Sequence, residues 1–308
     1  MKKIFLLPTV LLSSLFLYSQ NADSVVYEEP VFVEEESNEI EETFLSTRVV
    51  NGHSVETLRK GTLEFRVEHK FGDAAGSAGG INTLYGLDNA TDIRLGFEYG
   101  VSDNFMIGVG RSRGAIAPNK DLIDGFLKYR ILRQKRKGMP ISLSAVGTST
   151  YTYMKRSTIA TDVAYFSNKG KLNDLYRFAY SAQLNFARKF GKKLTLAVMP
   201  TMTWRNYVAA DDQNLLFSLG SSVTYFVNTK TSISVEYYNN FNEFNMRTGF
   251  KNSLSVSVDW MTFGHNFKVF LTNSAGIGET QFINYTDSNW AKGQFRIGFC
   301  IGRKYMKE

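Results

Sequence analysis

Hydrophobic and polar residues alternate with a period of two through most of the chain beyond Gly61. In Thr62–Phe71, the odd-numbered positions are mainly apolar and the even-numbered positions are mostly charged. This alternation is typical of a β-strand that has one apolar face and one polar face. The pattern recurs twelve times, near residues 62–71, 92–99, 105–109, 123–131, 141–153, 176–186, 194–204, 215–227, 233–237, 253–260, 267–271 and 295–301.

The links between these segments alternate in length. Short links lie near 100–104, 132–140, 188–193, 228–231 and 261–264, and longer ones near 72–91, 112–121, 154–174, 206–213, 240–251 and 273–292. Short turns at one end and long loops at the other are typical of bacterial membrane barrels. The sequence therefore predicts an all-β fold, a transmembrane antiparallel up-and-down barrel of about twelve strands. An even strand number places both termini on the periplasmic side.

A soluble β-sandwich or barrel is the alternative reading of the same alternation. Two features favour the membrane. The predicted strands are about ten residues long, which suits a tilted strand that crosses a bilayer. Aromatic residues such as Tyr99, Tyr129 and Trp204 lie near strand ends, as the girdles of membrane barrels require.

The N-terminal region divides into two parts before the barrel. Lys2 and Lys3 precede an apolar run, which predicts a signal peptide over residues 1–19. Residues 20–60 are predicted to form an acidic periplasmic tail and a possible plug segment, and residues 61–308 the barrel. No later stretch approaches 18 consecutive apolar residues, so helical membrane spans are not expected.

The charge distribution is uneven. The formal net charge is +7, and it becomes +14 for residues 43–308 once the two signal lysines and the nine acidic residues of 20–42 are set aside. An exported protein with this surplus meets lipopolysaccharide phosphates and anionic solutes rather than nucleic acid. The expected partners are outer-membrane lipid, lipopolysaccharide, the barrel assembly machinery and a small-molecule solute. Cys300 is the single cysteine, so an internal disulfide is excluded.

Several segments carry a resemblance to a known family. The stretch Thr47–Thr57, the run His69–Gly72 and the stretches Tyr85–Ala90 and Gly108–Ser112 resemble Bacteroidota-type outer-membrane β-barrels of unknown function. The resemblance implies the barrel fold and the outer membrane, and it implies no substrate and no active residue. In one respect the chain departs from many barrels, because it continues beyond Ile301 instead of ending on an aromatic residue.

Few residues of the sequence are candidates for catalysis or metal binding. His53, His69 and His265 fall at different places in the predicted barrel, so a catalytic triad or shared metal site is not expected, and each is interpreted as a surface, turn or interfacial residue. Asp88 and Asn89 could ligate calcium, but such pairs are also common in turns. We therefore predict no enzyme activity, no metal and no cofactor.

The polar strand faces carry the remaining information. With apolar residues facing outward, charged residues enter the lumen, where they could form an ion-paired filling or border a narrow, weakly anion-selective channel. The functional hypothesis is a narrow channel for small, weakly anionic solutes. A structural or adhesive barrel is the alternative, and a phospholipase-like enzyme a further one. The predicted lumen-lining residues are Arg66, Lys70, Arg94, Glu98, Lys128, Arg130, Arg177, Arg205, Glu236, Lys268 and Arg296.

Two long loops are predicted to be the mobile outer surface that contacts a ligand or partner, namely residues 154–174 and residues 273–292. A docking role is also predicted for the stretch before the first strand. Residues Thr43–Lys60 contain enough apolar side chains to lie at or inside the inner mouth of the barrel. The hypothesis for this stretch is a plug or gate, and the alternative is a solvated tail.

Overall fold

A computed structural model describes residues 42–114, 120–154, 174–206, 208, 212–243 and 249–306. Twelve strands are present among these residues, which confirms the predicted number. The strands are β1 (Leu63–Asp73), β2 (Ala90–Ser102), β3 (Phe105–Arg113), β4 (Leu122–Leu132), β5 (Ser142–Thr152), β6 (Phe178–Phe190), β7 (Leu194–Arg205), β8 (Leu215–Asn228), β9 (Thr231–Asn240), β10 (Ser253–Thr262), β11 (His265–Thr272) and β12 (Arg296–Tyr305).

The strands form one closed antiparallel barrel. Each strand pairs with its neighbours in the sequence, and β1 pairs with β12 to close the sheet. At this seam Val67 of β1 lies opposite Ile301 of β12, while on its other side it lies opposite Leu95 of β2. Closure pairs the backbone of every strand, so no sheet edge is left open to lipid.

The two faces of the sheet differ as the alternation predicts. Phe97 and Leu127 are 51% and 58% exposed on the outside of the barrel, whereas the intervening Glu98 and Lys128 are fully buried inside it. A soluble barrel would place its apolar residues inside. An apolar exterior around a polar interior is the arrangement of a barrel that faces lipid.

The two ends of the barrel also differ. Four of the five links at one end contain two or three residues, and the fifth, 133–141, contains nine. We call this the short-turn end. The chain enters β1 and leaves β12 there, and the opposite end is the long-loop end. No helix among the described residues is long and apolar enough to cross a membrane.

The last strand is longer than expected. We expected the alternation to finish at Ile301, but β12 continues to Tyr305, which lies opposite Leu63 of β1. The added residues are held by strand pairing with β1 and β11. The final strand therefore ends on an aromatic residue, Tyr305, although the chain itself continues to Glu308.

Candidate functional site

The lumen is occupied by the stretch of chain that precedes β1. Residues 43–58, which we call the plug segment, are buried except for the half-buried Thr57, while Glu42 and Arg59 on either side are exposed. The segment enters and leaves at the short-turn end. It folds back on itself as a hairpin, with the Val49 N–H donating to the Gly52 carbonyl at 2.8 Å.

The tip of this hairpin is bound by one carboxylate. Glu236, on β9, accepts hydrogen bonds from the backbone N–H groups of Val50 at 3.0 Å, Asn51 at 3.0 Å and Gly52 at 3.1 Å. Successive N–H groups that converge on one anion form a nest. The arrangement gives hydrogen-bond partners to three buried N–H groups and to one buried carboxylate. Each of these groups would be costly to bury without a partner.

Two lysines of the barrel wall bind the carbonyl groups of the plug segment, whereas Glu236 binds its N–H groups. The Lys128 ammonium donates to the carbonyl oxygens of Thr47 at 2.8 Å, Ser54 at 3.1 Å and Glu56 at 3.0 Å. An ammonium has three donors, so this one is fully used. Lys268 donates to the carbonyl oxygens of Arg48 and Val49. The plug backbone is thus bound by charged side chains through both its N–H and its C=O groups.

Ion pairs connect the wall to the plug segment. Glu98 accepts a hydrogen bond from the Thr47 hydroxyl at 2.9 Å and lies 3.6 Å from the Arg48 guanidinium. Arg66 lies 3.7 Å from the same carboxylate. Near the mouth, Arg130 pairs with Glu56 at 3.2 Å. Because these charges are nearly or fully buried, their pairing offsets a large cost of desolvation.

A second segment fills the lumen from the long-loop end. Residues 273–286, which we call the loop insert, are buried apart from the half-buried Gly278 and Tyr285, and include the short helix α1 (Glu279–Phe282). Lys70 donates to Ser274 Oγ at 2.8 Å and to the Gly276 carbonyl at 2.5 Å.

This placement contradicts one loop expectation. Residues 273–292 were expected to be a mobile outer surface, but most of them lie inside the barrel. The physical reason is the apolar content of the loop, since Ile277, Phe282 and Ile283 are all buried. The other predicted contact loop, 154–174, lies almost entirely outside the described residues.

The plug segment and the loop insert meet inside the barrel. His53 Nε2 lies 3.5 Å from Glu279 Oε1, and the Tyr238 ring packs against Phe282 with 5.0 Å between ring centroids. Val49 and Val50 belong to the same buried apolar cluster. The two segments therefore form a shared core with the wall.

His53 is part of this contact and is 1% exposed, so its interpretation as a surface, turn or interfacial residue was wrong. Burial lowers the pKa of His53 well below its ordinary value, and the adjacent Arg48 and Lys128 charges act in the same direction. Burial raises the pKa of Glu279. His53 is therefore neutral in the filled barrel at ordinary pH.

Sequence reasoning missed the apolar residues that face inward. Met106 and Phe126 lie on the polar parity of their strands and pack with Leu58 of the plug segment and Val146. The signal was visible, because each breaks the alternation of its strand. Apolar side chains on the inner face require an apolar partner in the lumen, and the plug segment provides it.

The eleven predicted lumen-lining residues all lie on or next to the inner face of the barrel, and ten of them are buried while Arg296 is partly exposed. They divide into four groups by what they contact. The residues that contact the plug segment are Arg66, Glu98, Lys128, Arg130, Glu236 and Lys268. Those that contact the loop insert are Lys70, Arg205 and Arg296. Arg94 pairs with Glu68 and Asp124 of the wall, and Arg177 donates to the carbonyls of Thr152 and Met154.

The remaining space is unevenly distributed. A vestibule of about 770 Å³ opens at the short-turn end beside Leu45 and Arg59. Between the plug segment and the loop insert, a cavity of about 20 Å³ lies against Arg48, Asp124 and Glu279. That cavity has room for about one water molecule. The larger of these two spaces thus opens beside the plug segment at the short-turn mouth.

The described residues contain no cluster of three or more histidine, cysteine, aspartate or glutamate side chains that could hold a metal ion. The three histidines lie apart. His69 stacks on Phe299 with 5.5 Å between ring centroids, and His265 lies against Arg303 near the short-turn end. The chemistry that this arrangement supports is reversible hydrogen bonding and ion pairing.

Solved structures that match this chain include two porins and an outer-membrane channel. The NanC porin matches with a TM-score of 0.45 and 11% identity over 80% of this chain and 100% of its own. The KdgM porin matches with a TM-score of 0.44 and 10% identity over 80% and 99%. An outer-membrane channel from Pseudomonas putida F1 matches with a TM-score of 0.42 and 14% identity over 82% and 98%. No curated protein matches the sequence.

A family model matches residues 44–305 of this chain. The match includes the barrel and all of the plug segment except its first residue. This match confirms the expectation that the chain belongs to a family of membrane-bound β-barrels. The chain belongs to the family described as Membrane bound beta barrel domain (DUF5777).

Proposed function

We propose that this protein is an outer-membrane channel for small, weakly anionic solutes, and that the plug segment holds it closed. The observation that carries the proposal is the way the plug segment is bound. Lys128, Lys268 and Glu236 bind its backbone through hydrogen bonds, and these three charges belong to the wall. Such contacts can be exchanged for water, while the apolar side chains that the plug segment buries, Val49 and Val50 among them, add to the free-energy cost of withdrawing it.

The charged side chains of the lumen can find partners in two states. With the plug segment inside, the buried charges have protein partners. With the plug segment withdrawn, a barrel of twelve strands is wide enough for water to solvate the same charges. A lumen lined by Lys128 and Lys268, with Arg130 at the mouth, would favour anions weakly, because acidic residues such as Glu98 and Glu236 remain between them.

Residence in the outer membrane is part of the proposal. The apolar exterior, the polar interior and the family match support a membrane barrel, and the N-terminal Lys2–Ser19 pattern supports export. On this topology the short-turn end faces the periplasm, lipopolysaccharide surrounds the long-loop end, and the barrel assembly machinery inserts the chain. A tag placed after Leu84 should be accessible on intact cells, and one placed after Lys137 should not.

A sealed structural barrel is the second candidate, and the loop insert is the observation that favours it. Because residues 273–286 fill the lumen from the other end, withdrawal of the plug segment alone would leave a second barrier. The two candidates differ in what happens when each barrier is fixed or removed.

Planar-bilayer conductance separates them. Four mature proteins are compared, all carrying Cys300→Ser: one with no further change, a deletion of residues 20–58, a plug lock made by Thr43→Cys with Thr195→Cys, and the same deletion with a loop lock made by Thr150→Cys with Thr280→Cys. The locked pairs are in contact, since Thr195 Oγ1 donates to the Thr43 carbonyl at 2.9 Å and the hydroxyls of Thr150 and Thr280 are 3.3 Å apart.

The channel proposal expects rare openings of the protein that carries Cys300→Ser alone, frequent openings after deletion, and none in the plug lock until a reductant is added. The loop lock should restrict the deletion protein if the loop insert is a second gate. Silence of all four proteins, with the folded bands intact in detergent electrophoresis, would overturn the channel and leave the structural barrel.

A further inference from the structure

A cleft lies at the rim of the short-turn end, between the β4–β5 turn and the β6–β7 turn. Its volume is about 410 Å³, and Lys135, Arg136 and Arg188 line it together with Met139 and Phe190. Three cationic side chains and two apolar ones therefore share one concave surface.

Hydrogen bonds fix the two turns that form the cleft. The Gln134 side chain is 5% exposed, and its amide donates to the Lys189 carbonyl at 2.8 Å while accepting from the Lys189 N–H at 2.8 Å. Within the β4–β5 turn, the Lys135 N–H donates to the Met139 carbonyl at 2.8 Å. The cleft is thus held by a buried side chain, and its shape does not depend on a mobile surface residue.

The positive charge of the cleft has no acidic counterpart nearby in the sequence. Residues 125–161 and 175–210 contain neither aspartate nor glutamate, and Lys137, Lys192 and Lys193 add to the charge around the cleft. Among the described residues, Lys135, Arg136 and Arg188 form no ion pair; the Arg188 guanidinium lies instead over the Phe190 ring at 4.9 Å. None of these three cations is paired with an acidic side chain of the described residues, so the cleft can accept an external anion.

The position of the cleft indicates what kind of anion it takes. Arg188 and Phe190 continue the outward row of Leu184 and Phe186 on β6, all four being exposed. The cleft is therefore continuous with the membrane-facing surface of the barrel. A soluble anion would use only the cationic side chains, whereas an amphipathic anion would use the cationic and the apolar side chains together.

We propose that this cleft binds an anionic phospholipid of the leaflet at the short-turn end. The phosphate lies against Lys135, Arg136 and Arg188, and an acyl chain follows Phe190 and the outward face of β6. Loss of conductance in any experiment above would leave this site untouched, because it requires membrane residence and does not require a passage through the lumen.

Native mass spectrometry of the full mature protein in detergent tests the site. The probes are phosphatidylglycerol, zwitterionic phosphatidylcholine, lipid A and soluble glycerol 3-phosphate, each at matched concentration. The test variant combines Lys135→Ser, Arg136→Ser and Arg188→Ser. The control variant removes three charges elsewhere, by Lys60→Ser, Lys230→Ser and Lys251→Ser, and both must keep the faster migration of the folded barrel.

We expect the unmodified protein to prefer phosphatidylglycerol to phosphatidylcholine, and the test variant to bind phosphatidylglycerol at least about tenfold more weakly, since each basic residue near an anionic headgroup contributes a several-fold preference. The control variant should keep its affinity. Equal weakening in both variants would mean that only net charge matters. That result, or tighter binding of glycerol 3-phosphate or of lipid A than of phosphatidylglycerol, would overturn the proposal.

Discussion

Gly52 packs against Tyr238 so closely that a Cβ added to Gly52 would overlap the tyrosine hydroxyl. Tyr238 is 1% exposed and its hydroxyl accepts a hydrogen bond from the Gln183 amide at 2.6 Å, so the ring cannot move aside freely. The tip of the plug hairpin is therefore fitted to the wall at this point, and only a glycine allows the fit.

Gly52→Ala should loosen the plug segment, because overpacking of this kind costs about 1–3 kcal/mol. The measurement is tryptic cleavage after Arg48, which is buried while the plug segment is in place. Tyr238→Phe removes the atom that a Cβ would meet first, so the double variant should regain most of the resistance. Gly147→Ala is the matched control, since a Cβ there meets no atom within 4 Å. Equal cleavage in all four proteins would contradict this account of the hairpin tip.

The carboxylate of Glu236 should control the local stability of the same hairpin. Glu236→Gln removes the charge that three backbone N–H groups share, and loss of a charge-assisted acceptor costs about 1–3 kcal/mol. The amides of Val50, Asn51 and Gly52 should then exchange with solvent deuterium roughly tenfold faster or more. Asp124→Asn is the control, because Asp124 pairs with Arg94 in the wall. Unchanged exchange in the Glu236 variant would show that the nest is not the anchor.

Acid should favour release of the plug segment through His53. Burial lowers the pKa of His53 inside the barrel, whereas a released His53 has an ordinary pKa of about 6.5. The released form therefore binds the proton more tightly, and the stability of the filled state falls as the pH drops below about 6.5. The raised pKa of Glu279 acts in the opposite direction.

The measurement is the exchange rate of the Val50 amide in the unmodified protein divided by the rate in His53→Gln, at pH 7.5 and at pH 5.5. The ratio cancels the intrinsic pH dependence of exchange and the contribution of Glu279, which both proteins share. We expect the ratio to rise on acidification. A constant ratio would exclude His53 as the titrating group.

The outward face of the strands should be intolerant of charge. Val198 is 46% exposed on the outside of β7, and Val198→Arg should destabilise the inserted barrel by about 2–4 kcal/mol if the residue lies near the bilayer midplane. Val198→Leu keeps the surface apolar and should change little. Urea titration of the folded band in detergent electrophoresis measures both. Equal midpoints would place Val198 away from lipid.

The barrel could be predicted from the sequence because its two faces meet different solvents. Each strand carries that contrast in its own alternation, so Glu98 and Phe97 could be assigned to opposite faces without knowledge of any partner strand. Even the order of short and long links was readable. The facing of each residue and the lengths of the links depend on short stretches of sequence, so both can be read without knowledge of the tertiary structure.

The contents of the lumen were less accessible. A plug was one of two readings of residues Thr43–Lys60, because an apolar stretch before a barrel does not reveal which surface it meets. The loop insert was misread as an outer loop, although Phe282 and Ile283 are unusually apolar for one. The pairing of Glu236 with three backbone amides joins residues far apart in the chain, and no local pattern encodes it.

The two segments that fill the lumen are attached to the two strands that close it. The plug segment leads into β1 through the exposed Arg59 and Lys60, and the loop insert leads into β12. Pairing of β1 with β12 brings the attachment points of both segments to one seam, so closure of the sheet and filling of the lumen are physically coupled. A chain stalled before closure would expose an unpaired β1 edge together with the lysines that otherwise bind the plug segment.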